Sequence, residues 1–322
     1  MRRRPLVLAV PIIATAFMTP PARAEWSDAC ISGAAAPLCH FWRGKLKWAD
    51  DGDTIDVRMP TSTGKVKTVR VRIIGIQAME QTLYTSNPRR RKGECHALRA
   101  TARLEQLIGK GGGRVRLGAQ DPASASGRRL RRSVAVKIRG VWRDVGSMLV
   151  AEGHALWLPY TFEYAWNATY ARFAQEAATR GRNLWDADAC GAGPSAGVPL
   201  RVTVAPDPRG DDRRNVNGEQ VTIQNLSPTE GVPLAGWWLR DSSLQRFRFP
   251  WWAGVPPGSS VTVSVGSGTN TPLSLYWGLD HPIFENPIPD GRALGDGAYL
   301  FDPQGDLRAW TMYPCYVNCV PT

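Results

Sequence analysis

Apolar and polar residues alternate along several short runs in the first half of the chain. Thr54-Ile-Asp-Val-Arg58 alternates, and Val69, Val71 and Ile73 alternate with Arg70 and Arg72. A period of two predicts strands, the second of them with an apolar face and a basic face. Gly44-Lys-Leu-Lys-Trp48 predicts a strand before them; Arg114-Val-Arg-Leu117 and Ser133-Val-Ala-Val-Lys-Ile138 predict two more after them. Asp50-Asp-Gly-Asp53 is a turn by composition, Pro60 to Gly64 a hairpin loop and Gly118 to Gly127 a polar loop. Glu25 to Cys39 is small and irregular. Over Glu94 to Lys110 the period becomes helical. Leu98, Thr101, Leu104, Leu107 and Ile108 share one stripe, and the glycines at 109 and 111–113 stop it. Asp144 can cap a short helix with Val145, Met148 and Leu149 inside, ended by Gly153. A third helix runs from about Tyr164 to Arg180 with Tyr170, Phe173 and Ala177 inward.

Five strands, with helices after the third and following the fifth, predict a small β-barrel of the oligonucleotide/oligosaccharide-binding (OB-fold) type over residues 40–191. Gly191-Ala-Gly-Pro-Ser-Ala-Gly197 is a linker by composition, which places the linker at residues 192–199. Beyond it the helical period disappears. Short runs at Leu200–Val204, Gln220–Gln224, Trp237–Arg240, Phe247–Phe249, Ser260–Val265, Leu273–Tyr276 and Tyr299–Phe301 are separated by Gly, Pro, Asn and Asp turns. They predict an all-β immunoglobulin-like sandwich over residues 200–314, with 315–322 as a tail. The fold class expected is multidomain: an α+β barrel with three helices, then a sandwich.

Composition adds a compartment and a polarity. Met-Arg-Arg-Arg-Pro, an apolar run from Leu6 to Met18 and Ala22-Arg-Ala24 read as a secretory signal over residues 1–24. The run is too short to span a bilayer, and no later stretch has eighteen apolar residues in a row, so no transmembrane segment is expected. Six cysteines follow the signal, which in an exported chain suggests disulfides. Fifteen pairings are possible. The economical set is Cys30–Cys39, Cys315–Cys319 and a long loop closed by Cys95–Cys190. There is no Cys-x-x-Cys pair, and the four histidines form no ligand pattern. The formal charge is +12, unevenly spread. Residues 40–191 hold 27 Lys+Arg against 14 Asp+Glu; residues 192–322 hold 9 arginines against 12 acids and no lysine. A basic half with clusters at Arg89–Lys92 and Arg128–Arg132, joined to a mildly acidic half, suggests that the first half meets a polyanion.

The candidate chemistry sits in two neighbouring stretches. Asp53, with Asp51 nearby and a carbonyl from the Gln77–Ala78 turn, offers the hard oxygens that calcium takes. Glu80 can accept a proton from water. Arg72, and an arginine from the Arg128–Arg132 cluster, can fork onto phosphate oxygens. Arg70, Arg129, Arg131 and Arg132 are further candidates for contact with a polyanion.

Asp51-Gly-Asp-Thr54, Val71-Arg-Ile-Ile-Gly-Ile76 with Glu80, Gly93-Glu-Cys-His-Ala-Leu98, Gly127-Arg-Arg-Leu130, Leu149-Val-Ala-Glu-Gly153 and Gly181-Arg-Asn-Leu-Trp185 together resemble the thermonuclease (staphylococcal-nuclease-like) family over roughly residues 40–190. The resemblance implies a calcium-dependent nuclease cutting single-stranded DNA and RNA. It casts Asp53 as a metal ligand, Arg72 and Arg128 as catalytic arginines and Glu80 as the catalytic glutamate. Gln77 stands where the family carries a metal-ligand aspartate, which implies weakened metal affinity; Ala78 can still offer its carbonyl. A barrel that binds nucleic acid without cutting it is the alternative. Gly218–Asn225, Leu234–Asp241, Phe249-Pro250 and Val255–Val261 resemble the lamin-tail domain, an interaction module without catalytic residues. Its partner is expected to be a cell-surface or polymer ligand. Most of Trp237, Trp238, Trp251, Trp252 and Trp277 are expected in the core or in turns.

Overall fold

The structure, a computed structural model, describes residues 26–31, 36–60, 63–81, 93–191, 193, 195–288 and 292–319. The leader expected over residues 1–24 and the Arg89–Lys92 cluster lie outside the described residues. The first part of the chain is a mixed α+β domain. It contains β1 (Trp26–Ala29), β2 (Leu38–Ala49), β3 (Thr54–Pro60), β4 (Val66–Ile73), β5 (Ile76–Gln77), α1 (Ala97–Lys110), β6 (Arg114–Ala119), β7 (Ala125–Ser126), β8 (Arg129–Ile138), β9 (Val141–Asp144), α2 (Val145–Ala151), β10 (Leu156–Trp157) and α3 (Asn167–Thr179). Strands β2, β3, β4, β8 and β6 pair in that order, and β6 returns to β2, so the five close into a ring. Only β4–β8 is parallel in this ring. The alternation read from sequence fills its interior with Ile55, Val57, Val71, Ile73, Val115, Leu117, Val134 and Val136, all buried.

Several expectations are corrected. The Glu25–Cys39 stretch is not irregular throughout: β1 pairs with the start of β2, and the Cys30–Cys39 disulfide ties them. The first strand of the ring is far longer than Gly44–Trp48: it runs Leu38–Ala49, with Phe41 and Trp42 buried on its opposite faces. Residues 141–144 form an unforeseen strand beside β8, too short to show a period. Helix α1 starts at Ala97, after His96 in a left-handed conformation with φ 72°. Leu98 falls outside the buried stripe and is 74 % exposed; Ala97 and Ala100 take its place beside Thr101, Leu104, Leu107 and Ile108. Asp144 caps α2 as expected, accepting the Ser147 N–H at 2.7 Å. His96 and His154, unremarkable in sequence, stack with Nε2 and Nδ1 3.0 Å apart.

The second domain holds β11 (Leu200–Ala205), β12 (Gln220–Asn225), β13 (Val232–Pro233), β14 (Trp238–Arg240), β15 (Arg246–Arg248), β16 (Gly254–Val255), β17 (Ser260–Ser264), β18 (Ser274–Tyr276), β19 (Asp296–Phe301) and β20 (Leu307–Tyr313). Two four-stranded sheets, β11-β12-β17-β18 and β15-β14-β19-β20, make a sandwich-like body. The final strand β20 was not foreseen. Trp237 lies in the core, but Trp251 is 83 % exposed and Trp252 is also exposed at the turn before β16.

The composition-based linker does not separate two independent bodies. Every residue of β19 is buried, because its sheet is covered on both faces. Ala298 and Leu300 face the sandwich core, whereas Tyr299 and Phe301 join the core of the first domain. Trp185 packs on Tyr299 and Trp310 with ring centroids 6.0 and 5.4 Å away. The Cys95–Cys190 disulfide borders this seam: Asp306 accepts the Cys190 N–H at 2.8 Å. The segment after β20 is docked too. Cys315 pairs with Cys319, and Gln175 of α3 accepts the Tyr316 N–H at 2.6 Å. Among the described residues no helix is long and apolar enough to cross a membrane.

Burial in the second domain leaves a pH signature. Glu219, wholly buried, is pushed up to about 7, chiefly by desolvation, although it accepts the Ile283 and Phe284 N–H groups. Its folded value exceeds the unfolded one, so the folded chain holds the proton longer and stability falls as pH rises through that interval. Burial lowers His96 to about 4, which acts in the opposite direction but only below the ordinary histidine range. The expected result is a urea midpoint that declines relative to that of Glu219→Gln between about pH 4.5 and pH 7, the interval from the ordinary glutamate value to the folded one.

Candidate active site

The Asp51-Gly52-Asp53 turn is pressed against the loop after β4. A Cβ on Gly52 would lie 2.6 Å from the Ala78 Cβ and 2.8 Å from that of Ala100, so only glycine permits the approach. As a result Asp53 Oδ2 accepts the Ala78 N–H at 2.8 Å. Its Oδ1 accepts the Thr54 hydroxyl at 3.0 Å and forms an ion pair with Arg72. Asp51 accepts the Asp53 N–H at 3.0 Å. Arg72 reaches this point because β4 sets it opposite Thr54 on β3. It also donates to the Ile76 carbonyl at 3.1 Å and to Gln77 Oε1.

Gln77 is fixed by the β5–β10 pairing, opposite Leu156. Its Nε2 donates to Glu80 Oε1 at 2.9 Å and to the Ala78 carbonyl at 3.2 Å. One amide thus ties the arginine to the glutamate. Burial raises the Glu80 carboxyl, the Asp51 charge raises it further, and Arg72 opposes both. Burial likewise raises Asp51 and lowers the Arg72 guanidinium. A carboxyl moved toward neutrality is better matched to general-base work than an exposed one.

Arg72, Gln77 and Glu80 open onto a cavity of about 230 Å³ shared with Arg129, Arg131 and Tyr160. The two additional arginines come from β8, where residues of odd number share a face. Arg131 stands opposite Arg72 in the parallel pairing and lies 4.9 Å from the Tyr160 ring centroid; its buried Nε has no hydrogen-bond partner. The alternation also corrects the expected roles. Arg128 precedes the strand, is exposed and does not line the cavity. Arg132 faces the other way: it is 1 % exposed, donates to the Pro122 and Ser124 carbonyls at 2.6 and 3.0 Å, and sits over Trp42. Arg132 is therefore a structural residue of the barrel wall. Arg70 is occupied by Asp56 and Asp50, at 2.9 and 3.2 Å, outside the cavity.

The donor set does not fit calcium as arranged. Calcium takes six to eight oxygens, with carboxylates setting the affinity. Both Asp53 oxygens are engaged, Gln77 Oε1 faces Arg72, and the Ala78 carbonyl accepts from the Gln77 amide. Among the described residues no three His, Cys, Asp or Glu side chains come together to hold a metal ion. The Gln77 amide puts N–H groups where a cation would draw in Glu80 and Ala78. Gln77→Asp should reverse this by adding a charged oxygen and removing the amide donor. Calcium affinity by titration calorimetry is expected to rise about tenfold or more over the unsubstituted protein, the effect of ligand charge count.

Four residues near this site are assigned no role from the sequence. Tyr160 follows β10 and carries no motif. Ser243 and Leu244 line the cavity from the second domain. Glu94 accepts the Glu80 N–H at 2.8 Å from a position fourteen residues on.

Residues 195–314, the second domain, match the Lamin Tail Domain family. The match supports an interaction module for this part of the chain. No curated protein matches the chain.

Proposed function

We propose that the first domain is an OB-type phosphodiester hydrolase acting on single-stranded nucleic acid, exported and joined to the lamin-tail domain. The observation that supports it is the convergence of Arg72, Arg129, Arg131 and Glu80 on one cavity. The closed five-strand ring and the thermonuclease-like motifs agree with it. The three disulfides are compatible with an oxidising compartment. Guanidinium groups neutralise the phosphoryl oxygens and favour the charge that develops during attack. Glu80 removes a proton from water, the hydroxide oxygen bonds to phosphorus, and the bond to the leaving oxygen breaks. The Tyr160 hydroxyl, more acidic than the lining serine hydroxyls, gives its proton to that leaving oxygen, yielding a phosphomonoester and an alcohol.

A second reading is carried by Gln77. Its amide holds Glu80 and Arg72 in a pre-tied arrangement that suits binding without cleavage. A cleavage assay on single-stranded DNA, with calcium and with chelator, decides between them. Cleavage in either condition supports the hydrolase. Salt-sensitive binding with no cleavage by folded protein selects the binding module; neither activity removes both.

A further inference from the structure

The cavity is not built by the first domain alone. Ser243 and Leu244 belong to the turn joining β14 to β15 of the lamin-tail domain. That turn is held from beneath by a buried polar cluster. Asp241 accepts the Gln245 N–H at 2.7 Å and the Ser243 hydroxyl, and Asp296 accepts the Ser242 N–H at 3.0 Å. Arg240, wholly buried, donates to the Asp241 and Ser242 carbonyls at 2.9 and 3.2 Å. Leu244 has φ 84°, a left-handed conformation that disfavours leucine. Local preference does not set this turn; its anchors do, and they hold the leucine against the cavity.

A second connection leads to the same place. Arg246 begins β15 and forms an ion pair with Glu94, whose side chain is 5 % exposed. Glu94 Oε2 accepts the Glu80 N–H, and the Glu94 N–H donates to the Glu80 carbonyl, both at 2.8 Å. The lamin-tail domain is therefore bonded, through one carboxylate, to the backbone of the glutamate that opens on the cavity.

We infer that the lamin-tail domain forms a substrate-facing wall of this cleft. Leu244 contacts the sugar or base next to the bound phosphodiester, and Arg246, acting through Glu94, is a positioning residue for Glu80. This rests on the phosphodiester reading of the cleft. The wall defines the substrate as well. At about 230 Å³ the cavity is smaller than most small-molecule sites, which run to roughly 300–1,000 Å³. A cleft of that size takes no more than one nucleotide unit of an unpaired strand, against Arg129, Arg131 and Leu244 of its lining.

The test uses the full chain and a fluorescent single-stranded oligodeoxynucleotide, reading Kd by anisotropy and KM and kcat by cleavage. Leu244→Glu places a negative charge on the wall and should raise Kd and KM about tenfold or more, as like charges do when forced together at an interface. Leu244→Gly relieves the backbone strain, should fold at least as stably, and should alter KM by widening the cleft. Arg246→Met should lower kcat with little change in KM, and move the ascending limb of the pH profile upward, since an unpaired Glu94 repels charge on Glu80. Arg246→Lys should restore part of both. Unchanged Kd and KM in both Leu244 variants would overturn the wall. A wild-type kcat and pH profile in Arg246→Met would overturn the positioning role. A wild-type protein that binds without cleaving also removes that role and leaves Leu244 to be judged on Kd. Wild-type protein that neither binds nor cleaves refutes the phosphodiester reading, and the wall falls with it.

Discussion

Glu80→Gln should slow phosphodiester cleavage about 10²- to 10⁴-fold, the usual contribution of a positioned general base. The substitution is nearly isosteric, and the Gln77 amide can still donate to the new side-chain oxygen. Oligonucleotide affinity is therefore expected to hold or to rise, because a negative charge is removed from a cavity lined by three arginines. The pH profile carries the second half of the expectation. Burial and the Asp51 charge raise the Glu80 carboxyl, so the base becomes available at a higher pH than for an exposed glutamate. The wild-type ascending limb should be displaced upward accordingly, and should vanish in the variant. Cleavage that survives Glu80→Gln with its ascending limb intact would assign the proton to another group. A parallel loss of binding would point to a folding defect, which circular dichroism would reveal.

Much of this site was legible along the chain because its geometry is local. Period-two alternation put Arg72 on the basic face of a strand, and the same alternation decides between Arg129 and Arg128 once the start of β8 is known. The sequence left that boundary open, since Arg128 to Arg132 contains four arginines around one leucine and every register looks plausible. Strand pairing supplies the missing fact: Leu130 lies beside Val71, which turns Arg129 and Arg131 to one side and Arg132 to the other. Gly52 shows the same limit. A glycine between two aspartates reads as a turn residue, but its requirement comes from Ala78 and Ala100, distant in sequence. Residues that act across domains carried no local signal at all. Leu244 and Arg246 lie about 165 positions beyond Glu80, on a turn whose composition is unremarkable. Composition also misled at 192–199, where a stretch of Gly, Ala and Pro describes the covalent connection and not the packing on either side of it.

Trp185→Ala tests that packing. Domains in one chain move relative to one another by default unless their interface is large and apolar. Here Trp185 of the first domain is buried against Tyr299 and Trp310 of the second, and Tyr299, Phe301, Leu307 and Met312 belong to the same core as the barrel. Truncating a buried tryptophan costs about 3–5 kcal/mol, which lowers the melting temperature of a chain this size by roughly 10 °C. If the shared core couples the domains, calorimetry should show one transition, displaced as a whole. Two transitions, with only the barrel's displaced, would mean that the domains unfold separately. The distinction bears on the cleft. Leu244 and Arg246 can face Glu80 only while β14, β15 and β19 stay seated on the first domain. Trp185 does not touch the cavity, yet its loss should also weaken oligonucleotide binding. That weakening should diminish on cooling, as the docked population recovers, whereas Leu244→Glu should weaken binding at every temperature.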